Sequence, residues 1–263
     1  MSFYLDRPLN LAHRGASHEA PANTLAAFLL AQELGADGVE LDVQLTRDGE
    51  LVVIHDLAVD ATTDGHGPVC EKTLAELKAL DAGSWFDPDF AGQRIPTLQE
   101  VVDAVGRRLL INIELKTENR RDDGLALAVV RLVEENHLAD RVVISSFNPL
   151  ALWRVRRLNP WIPVGMLYCE GLPFFLTRPW LRHLVRPDAM HPEWKMVDAD
   201  YVRWARKRGY RVHTWTVDDP GRMWQLVEAG VDIIITNRPD LLRQVLQAGH
   251  EPGATHEPHP GGR

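Results

Sequence analysis

Apolar residues fall along this chain in two alternating patterns. Short β-branched and aliphatic runs have the length and composition of buried strands. They lie at Leu9–His13, Gly38–Leu45, Leu51–His55, Leu109–Leu115, Arg141–Ser146, Pro163–Tyr168, Asp188–His191, Tyr210–Val217 and Val231–Thr236. Between most of them the apolar positions recur three and four apart, the spacing of one helix face. Those segments are Thr24–Leu34, Leu98–Val105, Leu125–Glu135, Pro149–Arg157, Ala199–Lys207, Pro220–Glu228 and Pro239–Ala248. Strands that alternate with helices imply a parallel sheet.

Nine strands are one too many for an eight-stranded barrel, and connection length removes one. Parallel neighbours need a crossover of about a dozen residues. Only Thr46-Arg47-Asp48-Gly49-Glu50 separates Leu45 from Leu51, and Asp48-Gly49 is a hairpin-turn dipeptide. Leu51–His55 therefore runs antiparallel to Gly38–Leu45. The remaining eight strands predict an α/β fold, a single (β/α)8 TIM barrel with a β-hairpin and a small insertion after the second barrel strand. The barrel takes residues 1–249, the insertion about 57–96, with a short helix at Thr73–Leu80. Residues 250–263, HEPGATHEPHPGGR, read as a disordered tail whose histidines are solvated.

The same alternation exposes an anomaly. Glu40, Asp42 and His55 stand inside apolar strands, and so do Asn112, Glu114 and Lys116 in LLINIELKT. Ile111, Ile113 and Leu115 take the opposite face, which in a barrel meets the helices, so the polar set points inward. A two-residue turn at Asp48-Gly49 would pair Val43 with Ile54 and set Asp42 opposite His55. The first strand ends in His13-Arg14-Gly15, at the end of the barrel where active sites lie.

Composition narrows what these residues do. The 263-residue chain is 45% hydrophobic and 25% charged, with a formal charge of −8. No basic run is present, so nucleic acid is not an expected partner. Cys70 and Cys169 have no metal-type spacing, which argues against a disulfide framework and a zinc site. MSFYLDRPLNLAHRG lacks the apolar core of a signal peptide, and no run is long enough for a membrane span. The expectation is a soluble cytoplasmic protein. Membrane contact stays open but is not expected. The apolar stretch Gly171–Val185 reads as the outer helix of the sixth βα unit before it reads as a greasy rim built on Phe174 and Phe175. Oligomeric state is not legible.

Three carboxylates at one barrel mouth repel, by around 4 kcal/mol per pair at about 4 Å under a surface-like dielectric. A cation must sit among them, and an all-carboxylate set suits hard Ca2+ or Mg2+. Arg14 and Lys116 would be in excess for the carboxylates alone, but a phosphate on the metal would use both. Two histidines beside it suggest a general acid and a general base. Ion pairing of Glu40 and Asp42 with Arg14 and Lys116 is the structural alternative; Glu114 and the histidines weigh against it.

These motifs occur in a familiar order. HRG at 13–15, VELDV at 39–43, T-x-D-G-x-x-V-V-x-HD at 46–56 and NIELK at 112–116 resemble the glycerophosphodiester phosphodiesterase family, a phosphatidylinositol-phosphodiesterase-like TIM barrel. IPTL at 95–98, WTVD at 215–218 and GVDIIITNRP at 230–239 extend the likeness over about residues 9–240. The resemblance implies hydrolysis of a small-molecule glycerophosphodiester such as glycerophosphocholine to glycerol 3-phosphate and an alcohol. It implies Glu40, Asp42 and Glu114 as metal ligands and His13 and His55 as the acid/base pair. Arg14 would meet the phosphate, with Lys116 and Trp215 lining the pocket. Trp215 also reads as a packing residue, and His191, in AMHPEW, as a pocket wall or as a hydrogen-bonded histidine before a turn. Where the family reads PENT, this chain has Pro21-Ala22-Asn23-Thr24; Asn23 or Thr24 would cap the next helix, and Glu19 is a candidate to fill the gap. A lysophospholipase D-like phosphodiesterase and a non-catalytic phosphodiester-binding barrel are the alternatives. A glycosidase fits less well, having no use for a phosphate clamp.

Overall fold

The computed structural model describes residue 4 and residues 7–117, 122–171 and 179–248. The elements in chain order are β1 (Leu9–His13), α1 (Leu25–Glu33), β2 (Gly38–Leu45), β3 (Leu51–Val53), α2 (Leu74–Ala79), α3 (Leu98–Val105), β4 (Leu110–Leu115), α4 (Leu125–Glu135) and β5 (Val142–Ser146). They continue as α5 (Pro149–Leu158), β6 (Val164–Tyr168), α6 (Arg182–Val185), β7 (Ala189–Pro192), α7 (Ala199–Arg206), β8 (Arg211–Thr214), α8 (Pro220–Ala229), β9 (Ile233–Thr236) and α9 (Pro239–Ala248). Local chemistry starts the helices: Thr97 caps α3 in a reciprocal box with Glu100, and Asn148 and Asp219 cap α5 and α8 just ahead of a first-turn proline.

Eight parallel strands close into a ring. β1 pairs with β9 on one side and β2 on the other, and β2 pairs on with β4. β3 lies outside the ring, antiparallel to β2. Strand alternation divides the core in two. Outward-facing Leu41, Val43, Ile111 and Ile113 pack with Val101, Val129 and Val133 of the helices. Leu9, Leu11, Val143, Ile233 and Ile235 form a separate apolar group, which alternation and register place inside the barrel. At roughly 1.5–3 kcal/mol for each buried aliphatic side chain, these two groups are the main favourable term of the fold. The carboxylates stand at the end of this group: Glu40 is level with His13 at the end of β1, and Asp42 and Glu114 lie beyond it.

The hairpin exists with a different register from the expected one. Val43 stands opposite Val53 and Leu45 opposite Leu51, one residue off the two-residue-turn count. The loop is longer: Thr46 N donates to Glu50 O at 3.0 Å and Gly49 N to Thr46 O at 3.1 Å, with Gly49 at φ +86°. That is a type I turn closed by a left-handed glycine, which Asp-Gly supports as readily as the tighter turn. His55 is therefore not the cross-strand partner of Asp42; Ile54 N donates to Asp42 O at 2.9 Å instead.

The insertion covers the hairpin with its own small core, in which Val52 and Ile54 pack on Val59, Val69, Leu77, Ala82 and Ile95. The helix after β6, in what the ring of eight makes the fifth βα unit and not the sixth, is the short Arg182–Val185; Phe174 and Phe175 lie outside the described residues, and so does the tail at 250–263. Among the described residues no helix is long and apolar enough to cross a membrane.

Candidate active site

Strand geometry brings the three carboxylates together. Glu40 and Asp42 are two apart on β2 and share its inner face. Asp42 is in register with Glu114 of β4, and Glu40 with His13 of β1. One oxygen from each of Glu40, Asp42 and Glu114 lies within 4.8 Å of the others, and all three residues are buried.

Two cations reach this cluster. Arg14 Nε is 3.3 Å from Asp42 Oδ2; Lys116 Nζ is 2.9 Å from Glu114 Oε1 and 3.6 Å from Asp42 Oδ1. Arg14 takes a left-handed backbone at φ +56°, a conformation costly for a side chain with Cβ. The turn is held because Arg14 N donates to the Glu40 carbonyl at 2.9 Å and to Glu40 Oε2 at 3.1 Å. Asn23, left-handed at φ +60°, donates Nδ2 to Asp42 Oδ2 at 2.9 Å. Thr24 is the cap of α1. Glu19 is exposed, and its charge is felt by Arg238.

Protonation within the cluster is uneven. Burial, then Asp42, pushes the Glu114 carboxyl up to about 7, with Lys116 opposing. Burial, Asp42 and Glu114 raise Glu40 well above its ordinary value. Burial also raises Asp42, but Arg14 and Lys116 outweigh it and hold the carboxyl below the usual range. Burial lowers Lys116, and Glu114 and Asp42 more than restore it. Two carboxyls out of three thus resist ionisation with only these two cations present. A hard divalent cation is what an all-oxygen set of this kind accommodates, so the residues fit Ca2+ or Mg2+ chemistry.

Both histidines come to the cluster. His13 Nδ1 is 2.7 Å from Asn237 Oδ1, and its Nε2 is 3.9 Å from Glu40 Oε2. Burial, helped by Arg14, lowers its pKa to about 4. His55 Nδ1 is 2.6 Å from Asp56 Oδ1. Burial lowers the His55 pKa, aided by Arg14 and Lys116, while Asp42 and Asp56 oppose. His55 arrives past the end of β3, where Gln44 Nε2 donates to the carbonyls of Ile54, His55 and Asp56 at 2.9, 3.2 and 2.8 Å. Gln44 is two residues beyond Asp42 on the same face, a period-2 signal that sequence reading left unused. A cleft beside the cluster is lined by Arg14, Ala22, Asn23, His55, Asp56 and Thr62. Trp215 stands past β8, its Nε1 donating to His191 O at 2.9 Å and its ring edge-on to Phe147.

His191, a candidate for the pocket wall or for an ordinary hydrogen bond, serves neither way. It is fully buried and packs against His213 with ring centroids 4.4 Å apart.

The fold and site define a parallel α/β barrel whose buried carboxylates at the strand ends could chelate a hard divalent cation. The particular family follows from comparison with known proteins. The model of the glycerophosphoryl diester phosphodiesterase family matches residues 13–241, and the chain belongs to that family. A glycerophosphodiester phosphodiesterase of Caldanaerobacter subterraneus subsp. tengcongensis is 43% identical over 245 residues, covering 92% of this chain and 99% of the relative. One of Bacillus subtilis (strain 168) is 34% identical over 255 residues, covering 91% and 87%. A phosphodiesterase of Oleispira antarctica, solved in complex with the product sn-glycerol-3-phosphate, superposes with a TM-score of 0.83 at 33% identity. That match covers 94% of this chain and all of the other.

Proposed function

We propose that this enzyme hydrolyses glycerophosphodiesters to glycerol 3-phosphate and an alcohol, with glycerophosphocholine the representative substrate. The observation that carries the reading is the buried Glu40–Asp42–Glu114 cluster flanked by two hydrogen-bonded histidines at the strand ends. The family membership and the product complex of the O. antarctica relative support it. Glu40, Asp42 and Glu114 would hold Ca2+ or Mg2+, which when bound supplies charge for the phosphate and its transition state.

The rest falls to side chains. Arg14 and Lys116 draw the phosphate oxygens and stabilise charge as it develops. His13 Nε2 removes the proton of the substrate's free glycerol hydroxyl, whose oxygen then attacks phosphorus. The phosphorus–oxygen bond to the alcohol breaks, and His55 protonates the leaving oxygen. A cyclic glycerol phosphate results. Water opens it with the roles reversed: His55 takes the water's proton and His13 returns one to the glycerol oxygen. His13 would start neutral and His55 protonated, each working through Nε2 while Nδ1 faces an oxygen 2.7 and 2.6 Å away. Trp215 would wall the pocket on the far side.

The test is release of glycerol 3-phosphate from glycerophosphocholine by the purified protein with Ca2+, with Mg2+ and with EDTA. Metal-dependent release that EDTA abolishes is expected. Release undiminished by EDTA would remove the metal from the reading. Turnover of lysophosphatidylcholine alone would replace it with a lysophospholipase D-like activity.

A further inference from the structure

Asp218 of the WTVD motif and Asn237 of the TNRP motif take no part in the chemistry proposed above. They lie 19 residues apart in sequence and touch. We infer that Asn237 and Asp218 are positioning residues, a relay that holds the His13 ring as its Nδ1–H tautomer and leaves Nε2 bare toward the carboxylate cluster. This inference rests on His13 as a proton-transfer group for its use, but not for its geometry.

The relay is fixed from its outer end. Asp218 accepts from Thr236 Oγ1 at 2.9 Å and from Asn237 N at 2.8 Å, so its carboxylate is anchored to the end of β9. Its other oxygen is 2.6 Å from the Asn237 side-chain nitrogen. A carboxylate only accepts, so the amide must turn its NH2 outward to Asp218 and its oxygen inward. The flipped amide would press one oxygen against another at that distance. The inward Oδ1 has two lone pairs and two neighbours, Ser17 Oγ at 2.8 Å and His13 Nδ1 at 2.7 Å. An amide oxygen offers no proton, so His13 Nδ1 must carry the hydrogen. In the neutral imidazole the other nitrogen is then the acceptor, and Nε2 is 3.9 Å from Glu40 Oε2. With the opposite tautomer Nε2 would already hold a hydrogen and could take none from a substrate hydroxyl. Strand order explains why these residues meet: β9 is the neighbour of β1 in the closed ring, with Ala12 in register with Thr236. Asn237 follows Thr236 as His13 follows Ala12.

The test joins a spectroscopic signature to kinetics. Nitrogen-15 NMR of the metal-free protein reports which imidazole nitrogen of His13 bears hydrogen. The wild type is expected to show one tautomer, Nδ1–H. Asn237→Ala should give a mixture, with kcat down about 10- to 100-fold and KM within about threefold, the pattern for a contact that matters in the transition state rather than in binding. Asp218→Ala, at an exposed position, should move the tautomer the same way with a smaller loss, about 3- to 10-fold. It decides the question alone if Asn237→Ala does not fold. An unshifted tautomer overturns the relay, whatever the activity does. A shifted tautomer with full kcat leaves the relay standing and overturns the catalytic assignment of His13 instead.

Discussion

Two pairs of histidines face into this barrel, and they differ in what holds them. At the mouth, His13 and His55 each rest an Nδ1 on an oxygen, of Asn237 and of Asp56. In the interior, His191 and His213 are fully buried, 4.4 Å apart ring to ring, and among the described residues no hydrogen-bond partner meets their ring nitrogens. Gly165 makes room for them: a Cβ there would come within 2.1 Å of His191 Nε2. All four have lowered pKa values, with burial the leading cause in each. A perturbed pKa by itself therefore does not mark a working histidine. The mark is a partner that fixes one ring nitrogen and aims the other at something reactive.

The broadest test of that distinction is deletion at each pair. His13→Ala or His55→Ala should cut kcat by about 10²- to 10⁴-fold, the usual worth of a positioned acid or base. His191→Leu, which fills similar volume without a polar group, should keep kcat within about twofold in glycerol 3-phosphate release. A loss with His191→Leu as large as with His55→Ala would erase the difference between the pairs.

The next effect is on stability against acid. His191 is held neutral with a pKa of about 3, against about 6.5 for an exposed imidazole. The unfolded chain binds more protons between those values, so the contribution is whole above about pH 6.5 and is lost as pH falls toward 3. His213 shifts in the same direction. The wild type should lose on the order of a few kcal/mol between pH 7 and pH 4.5 from this source, read as a falling urea midpoint, and His191→Leu should flatten the fall. Two carboxyls at the mouth run the other way. Glu114, raised to about 7 from 4.5, and Glu40, raised in the same sense, favour the metal-free fold while protonated. That contribution is present at low pH and lost as pH climbs through about 7. Added Ca2+ or Mg2+ should thus raise Tm more at pH 8 than at pH 5, and an equal rise at both would contradict the carboxylate assignment.

The barrel and most of its mouth could be read from the sequence because both rest on strand alternation. Ile111, Ile113 and Leu115 had to face helices, so Glu114 had to face in, and a carboxylate has no packing role there. The relay was legible only as motif letters. His13 and Asn237 are 224 residues apart, and closure of β1 on β9 alone joins them. His213 gave no sign at all, since a histidine in YRVHTWTV looks the same whether it meets a ligand or another ring. The hairpin register differs for another reason: Asp48-Gly49 suits two turn lengths, and a single residue of turn moves every cross-strand pair.

The shifted register sharpens the comparison at its finest level, because His55 reaches the site without the pairing expected to bring it. Beside the Ile54–Asp42 backbone bond, Gln44 holds this segment through three carbonyls at residues 54, 55 and 56. Gln44→Leu keeps the buried volume and removes all three donations. A buried carbonyl left unpaired costs about 1–3 kcal/mol, and the segment after β3 should move to find water instead. His55 would then be misplaced while His13, anchored from β9, would not. The expected result is a kcat reduced about 5- to 20-fold, a KM little changed, and an undisturbed His13 tautomer. An unchanged kcat would mean that β3 and the Asp56 contact already hold His55, and that Gln44 only closes the hairpin.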